Sequence, residues 1–205
     1  MLEHNTPFLE PGETLVLFGD SLTAAQNGYS AILQEKLVNN TVINAGRGGD
    51  KTPSALTRLT TDVLSHNPDA ISIFFGANDA AIGRGRWTDE PMVSPETYMY
   101  NLMWMVHLAR LKGVRKFSIA IPFDSFEGRA LYEQGDIMVP YCLAAREAAN
   151  RMQIRMVPLD IVYRKARLAA GGEPFDFCLT SDGTHPTEST YKLIAESFLE
   201  AWKMN

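Results

Sequence analysis

An α/β fold with a parallel sheet covered on both faces is the class this sequence predicts. Three observations carry it. Short apolar runs recur along the chain, stretches of helical period separate them, and each run stops at a turn built on Gly, Asn or Pro. Alternation of strand and helix repeated about five times is the pattern of three α/β/α layers. With 205 residues, the chain is read as one domain over 1–205, long enough to bury a real core.

The first strand is Leu15-Val16-Leu17-Phe18, stopped by Gly19-Asp20-Ser21. Tyr29, Ile32, Leu33 and Leu37 then recur at helical spacing, and Thr41 to Ala45 reads as a second strand leading into Gly46-Arg47-Gly48-Gly49-Asp50. Ala55, Leu56, Leu59, Val63 and Leu64 mark a helix that ends near Asn67-Pro68, because the residue before proline is pushed out of helical geometry. Ala70 to Phe75 is the third strand, closed by Gly76-Ala77-Asn78-Asp79 and followed by an irregular piece from Ala80 to Val93. Ser94-Pro95-Glu96 has the chemistry of a helix start, a capping hydroxyl followed by proline at the first helical position. That helix runs to Lys112-Gly113, and strand four is Val114 to Ile121. A loop from Phe123 to Gly135, a helix from Ile137 to Met152, a fifth strand from Ile154 to Leu159 and a short helical piece from Asp160 to Ala169 follow. The last helix carries Tyr191, Ile194, Ala195, Phe198 and Trp202.

Composition excludes several function classes. Hydrophobic residues make up 45% and charged residues 21%, too apolar and too mixed for a disordered chain. A net charge of −5, with no cluster of Lys and Arg, offers no basic face for nucleic acid. No apolar run approaches the ~18 residues of a membrane span. Met1 to Glu13 has neither a basic start nor an apolar stretch, unlike a signal peptide. Cys142 and Cys178 are expected to be unpaired thiols, and the chain is expected to be cytoplasmic.

The chemistry-bearing residues fall after strands. Ser21 follows strand one, Gly49 strand two and Asn78 strand three, while Asp182 and His185 lie just before the last helix. Right-handed crossovers bring these loops to one edge of the sheet, where open α/β sheets bind ligands. A serine hydroxyl becomes a nucleophile when a base takes its proton, and His185 is the one histidine in such a setting. Asp182, three residues earlier, could accept the His185 Nδ1–H and hold its tautomer. Backbone N–H groups of Ser21 and Gly49, with the Asn78 amide, would suit a tetrahedral oxyanion. Each group alone has a purely structural reading: turns at Ser21 and Asn78, a plain loop at the glycines, a cap at Asp182. Their convergence on one edge is what points to acyl transfer. Other hydrolase and oxidoreductase signatures fail. Thr23 stands where a Gly-x-Ser-x-Gly elbow needs glycine, one cleft histidine is too few for a metallohydrolase, and no Gly-x-Gly-x-x-Gly follows strand one. A flavodoxin-like binding protein remains as the non-enzyme reading.

Gly19-Asp20-Ser21, Asn44-Ala45-Gly46-Arg47-Gly48-Gly49-Asp50, Gly76-Ala77-Asn78-Asp79 and Asp182-Gly183-Thr184-His185-Pro186 resemble, in order, the four blocks of the SGNH hydrolases of the GDSL esterase/lipase type. The resemblance implies a flavodoxin-like sheet of five parallel strands in order 2-1-3-4-5. It also implies Ser21 as nucleophile, His185 as base with Asp182 behind it, and Ser21, Gly49 and Asn78 as the oxyanion hole. No metal or cofactor is implied. Gly46, Gly48 and Gly49 all compete for the family's glycine, with the spacing to Asp50-Lys51-Thr52 favouring Gly49. Arg47, where the family often has a small residue, would narrow the cleft.

The expected partner is a small ester, with a short acyl group on a polar alcohol, possible O-acetylated carbohydrate included. Thioesterase, lysophospholipase and acyltransferase chemistry fit the same scaffold. Candidate substrate contacts are Asp20, Arg84, Trp87 and Phe123. Trp87 would offer a platform for a sugar or acyl chain and Arg84 a partner for an anionic group, the alternative being a solvated loop. Asp20 alternatively braces the nucleophile turn. An exposed Trp104 would mark a contact between copies in a homo-oligomer.

Overall fold

A computed structural model describes residues 6–81, 92–123, 127–128, 137–173 and 175–204. Its sheet has five parallel strands in the order β2-β1-β3-β4-β5: β1 (Thr14–Gly19), β2 (Thr41–Gly46), β3 (Ala70–Phe74), β4 (Lys116–Ala120) and β5 (Arg155–Val157). The helices are α1 (Ser21–Ala24), α2 (Tyr29–Lys36), α3 (Thr52–Asp62), α4 (Pro95–Leu111), α5 (Val139–Met152), α6 (Leu159–Ala170) and α7 (Glu188–Trp202).

Side chains alternate across the central strand, as a period of two requires. Val16 and Phe18 face a core built with Ala55 and Leu59 of α3, Leu102 and Met105 of α4 and Ala145 and Ala148 of α5. Leu15 and Leu17 face the opposite core, with Tyr29 and Leu33 of α2, Tyr163 of α6 and Phe198 and Trp202 of α7. Continuously apolar strands are what a sheet buried on both faces demands. Two buried serines interrupt this, and each is satisfied. Ser118 donates to Ser72 across β4 and β3 (2.9 Å), and the Trp202 indole donates to Ser118 (3.0 Å). Ser94 caps α4 as its chemistry predicts, accepting from the Thr97 N–H at 3.1 Å.

Strand ends differ from the sequence expectation for a common reason: the flanking helices take those residues as caps. The Val114 N–H closes α4 on the Ala109 carbonyl (3.2 Å), so β4 starts at Lys116 rather than Val114. The Ile154 N–H closes α5 on Ala149 (3.0 Å), and Pro158 turns the chain into α6, which leaves β5 three residues. The helix expected to end at Asn67-Pro68 stops at Asp62. A single 3₁₀ turn, Leu64–His66, follows, and Asn67 adopts the left-handed conformation (φ 49°). Helix α1 is short and was not expected.

Candidate active site

The C-terminal ends of β1, β2 and β3 lie side by side, with Gly19 in register with both Gly46 and Phe74. Directly after β1, Asp20 acts as the N-cap of α1: its Oδ1 accepts the Leu22 N–H at 3.0 Å. Ser21 is therefore the first residue of a helix, where backbone N–H groups have no acceptor within the helix. Helix α1 is too short to hold itself together and is pinned from outside. The Asn44 amide donates to the Thr23 carbonyl (2.8 Å) and to Ser30 Oγ (2.9 Å), and the Thr23 and Tyr29 hydroxyls share a hydrogen bond of 2.8 Å. A Cβ on Gly46 would stand 2.3 Å from the Ala24 nitrogen, so only glycine lets β2 approach α1 this closely.

Two of the three competing glycines differ in what their backbone is free to do. The Gly46 N–H is taken by Asn44 Oδ1 (2.9 Å). Gly49 has a φ of +71°, which favours glycine, and its N–H has no acceptor among the described residues. The Arg47 side chain does not reach into the cleft. It is exposed and pairs with Asp62 of α3 at 3.2 Å.

Under this turn lies a residue that the sequence reading passed over. Arg58 of α3 is 5% exposed and uses its whole guanidinium. Nε donates to Asp50 (2.6 Å), Nη1 to the Ala45 carbonyl (2.7 Å) and Nη2 to the Gly19 carbonyl (3.0 Å), with its plane 4.6 Å from the Phe18 ring centroid. One side chain thus ties the ends of β1 and β2 to the glycine turn. The signal was a charged residue within the apolar face that Ala55 and Leu59 define on α3.

Asn78 sits in the turn after β3, half-buried, and its Nδ2 donates to Asp20 Oδ2 at 3.1 Å. That bond orients the amide and uses one of its two hydrogens, leaving the second for a ligand. Asp79 points inward and accepts from both the N–H (3.0 Å) and hydroxyl (2.5 Å) of Thr52; its Oδ2 is buried without a hydrogen-bond partner. Burial pushes the Asp79 carboxyl up to about 6, against the lowering pull of Thr52 and Lys51. Asp20, 2% exposed, is pushed up to about 7 by burial. The Asp79 charge adds to the rise, while the Leu22 N–H, the charge of His185 and the Asn78 amide oppose it.

His185 and Asp182 stand on the tip of a loop before α7, with side chains 46% and 55% exposed. Asp182 Oδ2 lies 2.7 Å from His185 Nδ1, and Asp182 Oδ1 accepts the N–H groups of His185 (2.7 Å) and Thr184 (3.0 Å). Partial burial would raise the Asp182 carboxyl, but these hydrogen bonds and the imidazole charge outweigh it and hold it below the usual range. An ionised Asp182 can only accept, so Nδ1 carries the ring proton and Nε2 presents a lone pair. Among the described residues, neither Ser21 Oγ nor His185 Nε2 makes a hydrogen bond, so both are open to a ligand. The cap of α7 is Thr187, not Asp182.

Two candidate substrate contacts are corrected. Asp20 is buried and fully engaged with Leu22 and Asn78, which makes it a brace of the turn. Phe123 is a core residue rather than a cleft wall: it is buried and stacked on Tyr163, with ring centroids 4.5 Å apart. Arg84 and Trp87 lie outside the described residues. Cys142 and Cys178 are not disulfide-bonded. Trp104 is exposed on α4, against the His107 ring. Among the described residues, no group of His, Cys, Asp and Glu side chains is arranged to hold a metal ion, and no helix is long and apolar enough to cross a membrane.

The profile of the GDSL-like Lipase/Acylhydrolase family matches residues 17–193. An arylesterase from Vibrio mimicus is 25% identical over 198 residues, covering 91% of this chain and 86% of the relative. The uncharacterized lipoprotein YqeF of Bacillus subtilis is 33% identical over 114 residues, which is 50% of this chain and 46% of that protein. The chain thus matches about half the length of the lipoprotein and most of the arylesterase. The acetylxylan esterase Axe2 from Geobacillus stearothermophilus shares the fold, with a TM-score of 0.79 at 23% identity over 94% of each chain.

Proposed function

Because the chain belongs to the GDSL-like lipase/acylhydrolase family, we propose that it hydrolyses carboxylic esters through an acyl-enzyme on Ser21. The observation that carries the reading is the Asp182–His185 pair, which holds the imidazole with Nε2 without a hydrogen bond among the described residues, together with a serine at a helix N-terminus directly after β1. In the first half-reaction, Nε2 takes the Ser21 proton as Oγ adds to the ester carbonyl. Asp182 stabilises the imidazolium that forms. The carbonyl oxygen becomes an oxyanion for which the N–H groups of Ser21 and Gly49 and the second hydrogen on Asn78 Nδ2 are the donors. Collapse breaks the ester bond, and the imidazolium returns its proton to the departing alcohol. Water then repeats the sequence on the acyl-serine, releasing the acid and restoring the hydroxyl.

The substrate proposed is a short acyl ester of a compact or polar alcohol, O-acetylated carbohydrate included. Support comes from the half-buried, polar Asn78 amide beside the Ser21 turn and from the place of Phe123 in the core rather than at the site. The Vibrio mimicus relative is an arylesterase. The test is hydrolysis of p-nitrophenyl esters from acetate to palmitate by wild type and Ser21→Ala. Wild type is expected to cleave the short esters best, with Ser21→Ala slower by about 10³-fold or more. Wild-type rates in Ser21→Ala would refute the nucleophile. An optimum at long chains would replace the short-acyl reading with a lysophospholipase or thioesterase.

A further inference from the structure

The loop that carries Asp182 and His185 touches the rest of the protein through an unexpected group. Glu127, in the connection after β4, is 3% exposed, and its carboxylate faces the stem of that loop. Oε2 accepts the N–H groups of Cys178 (3.1 Å), Leu179 (3.0 Å) and Thr180 (2.8 Å) and the Thr180 hydroxyl (2.6 Å), while Oε1 also faces the Leu179 N–H (3.1 Å). Its own N–H donates to the Gly183 carbonyl at 2.9 Å, one residue past Asp182. Arg167 of α6 stands 3.5 Å from Oε1 and supplies the countercharge.

Beyond that stem, apart from the Gly183 carbonyl, the hydrogen bonds of the loop among the described residues run within it. Thr180 bridges to Pro186, the Ser181 N–H donates to the His185 carbonyl, and the Gly183 N–H donates to the Thr180 hydroxyl. Asp182 and His185 therefore hold each other, but nothing else among the described residues hydrogen-bonds their side chains. Where the imidazole stands relative to Ser21 is decided at the stem.

We propose that Glu127 is a positioning residue for the reaction, setting the distance from His185 Nε2 to Ser21 by clamping residues 178–183. A buried carboxylate accepting several N–H groups is strong enough to fix a backbone segment, and proton transfer is steep in distance. The inference rests on the proposed role of His185. It predicts a loss in kcat with little change in KM, since Glu127 acts on the base and touches no substrate.

The experiment measures kcat and KM on p-nitrophenyl acetate for wild type, Glu127→Gln, Glu127→Ala and His185→Ala, with near-ultraviolet circular dichroism as a control of packing. Expected are losses in kcat of about 10-fold for Glu127→Gln and about 100-fold for Glu127→Ala, with KM within about two-fold of wild type. The partial rescue by glutamine follows from its retaining one acceptor oxygen for the stem. A kcat within about two-fold of wild type in both variants would overturn the proposal, as would a rise in KM at unchanged kcat. Should Glu127→Ala fail to fold, Thr180→Val removes one hydroxyl of the clamp at nearly constant volume. A fall in kcat of about five-fold then supports the clamp and an unchanged kcat overturns it. Wild-type activity in His185→Ala would instead sink the underlying base assignment, whatever Glu127 does.

Discussion

The two parts of the candidate site are built by opposite strategies. The Ser21 side rests on the ends of three hydrogen-bonded strands, with α1 held by Asn44 and the glycine turn held by Arg58, all at or near the buried core. The His185 side is an exposed loop whose geometry comes from hydrogen bonds within itself and from one buried carboxylate behind it. On the first side, donors are placed by the same contacts that stabilise the fold. On the second, placement and stability are nearly separate. Damage to the first should therefore appear as lost stability, and damage to the second as lost rate.

The sharpest form of this contrast is Asp182→Ala. With the imidazole tautomer no longer held, kcat is expected to fall by about 10³–10⁴-fold. Because Asp182 is exposed, thermal unfolding should move by no more than about 2 °C. A large drop in Tm would mean that the loop is part of the stabilising core. Next in size is Arg58→Met, which takes the guanidinium from Asp50 and the Ala45 carbonyl, while the Gly19 carbonyl keeps the Arg47 N–H (3.0 Å). Removing one partner of a buried pair costs about 3–5 kcal/mol, so Tm should fall by roughly 10 °C in calorimetry. An unchanged Tm would contradict the claim that one guanidinium ties the strand ends together.

The smallest effect concerns protons. Asp20 at about 7 and Asp79 at about 6 hold protons in the folded state that the unfolded chain has released by those pH values. Their contribution to stability is complete below the unfolded carboxyl value and is lost as pH rises through 6 and 7. Tm should thus decline between pH 5 and pH 8, and Asp20→Asn should flatten the decline. The same variant turns an amide toward Asn78, so its kcat should also fall by about 10-fold. Equal slopes in wild type and variant would show that Asp20 does not carry the effect.

How much of this was legible in the sequence depends on whether a residue acts locally or at a distance. The strands were readable because a sheet buried on both faces leaves nearly continuous apolar runs, unbroken at Leu15 to Phe18 and interrupted only by Ser72 at Ala70 to Phe75. Ser21, Gly49, Asn78, Asp182 and His185 were readable as candidates because each follows a strand or precedes a helix. Helix α1 left no periodic trace, being a single turn held by Asn44 from another strand. Glu127 gave no signal, because most of its partners are backbone N–H groups more than fifty residues away, and backbone groups carry no identity in a sequence. Asp20 was readable as a brace of the turn, whereas Phe123 was misplaced for a related reason: adjacency to a strand end does not say whether a side chain turns outward or in. Phe123 turns inward because Phe74 and Tyr163 offer it an aromatic partner on either side.

The central claim is that Ser21 carries the acyl group, and covalent trapping tests it most directly. Wild-type protein is incubated with diethyl p-nitrophenyl phosphate, and the adduct is mapped by peptide mass spectrometry. The account predicts one equivalent of p-nitrophenol released, a diethylphosphoryl group on Ser21, parallel loss of esterase activity, and no labelling of Ser21→Ala. A label on another residue, or esterase activity that persists after Ser21 is fully modified, would contradict it.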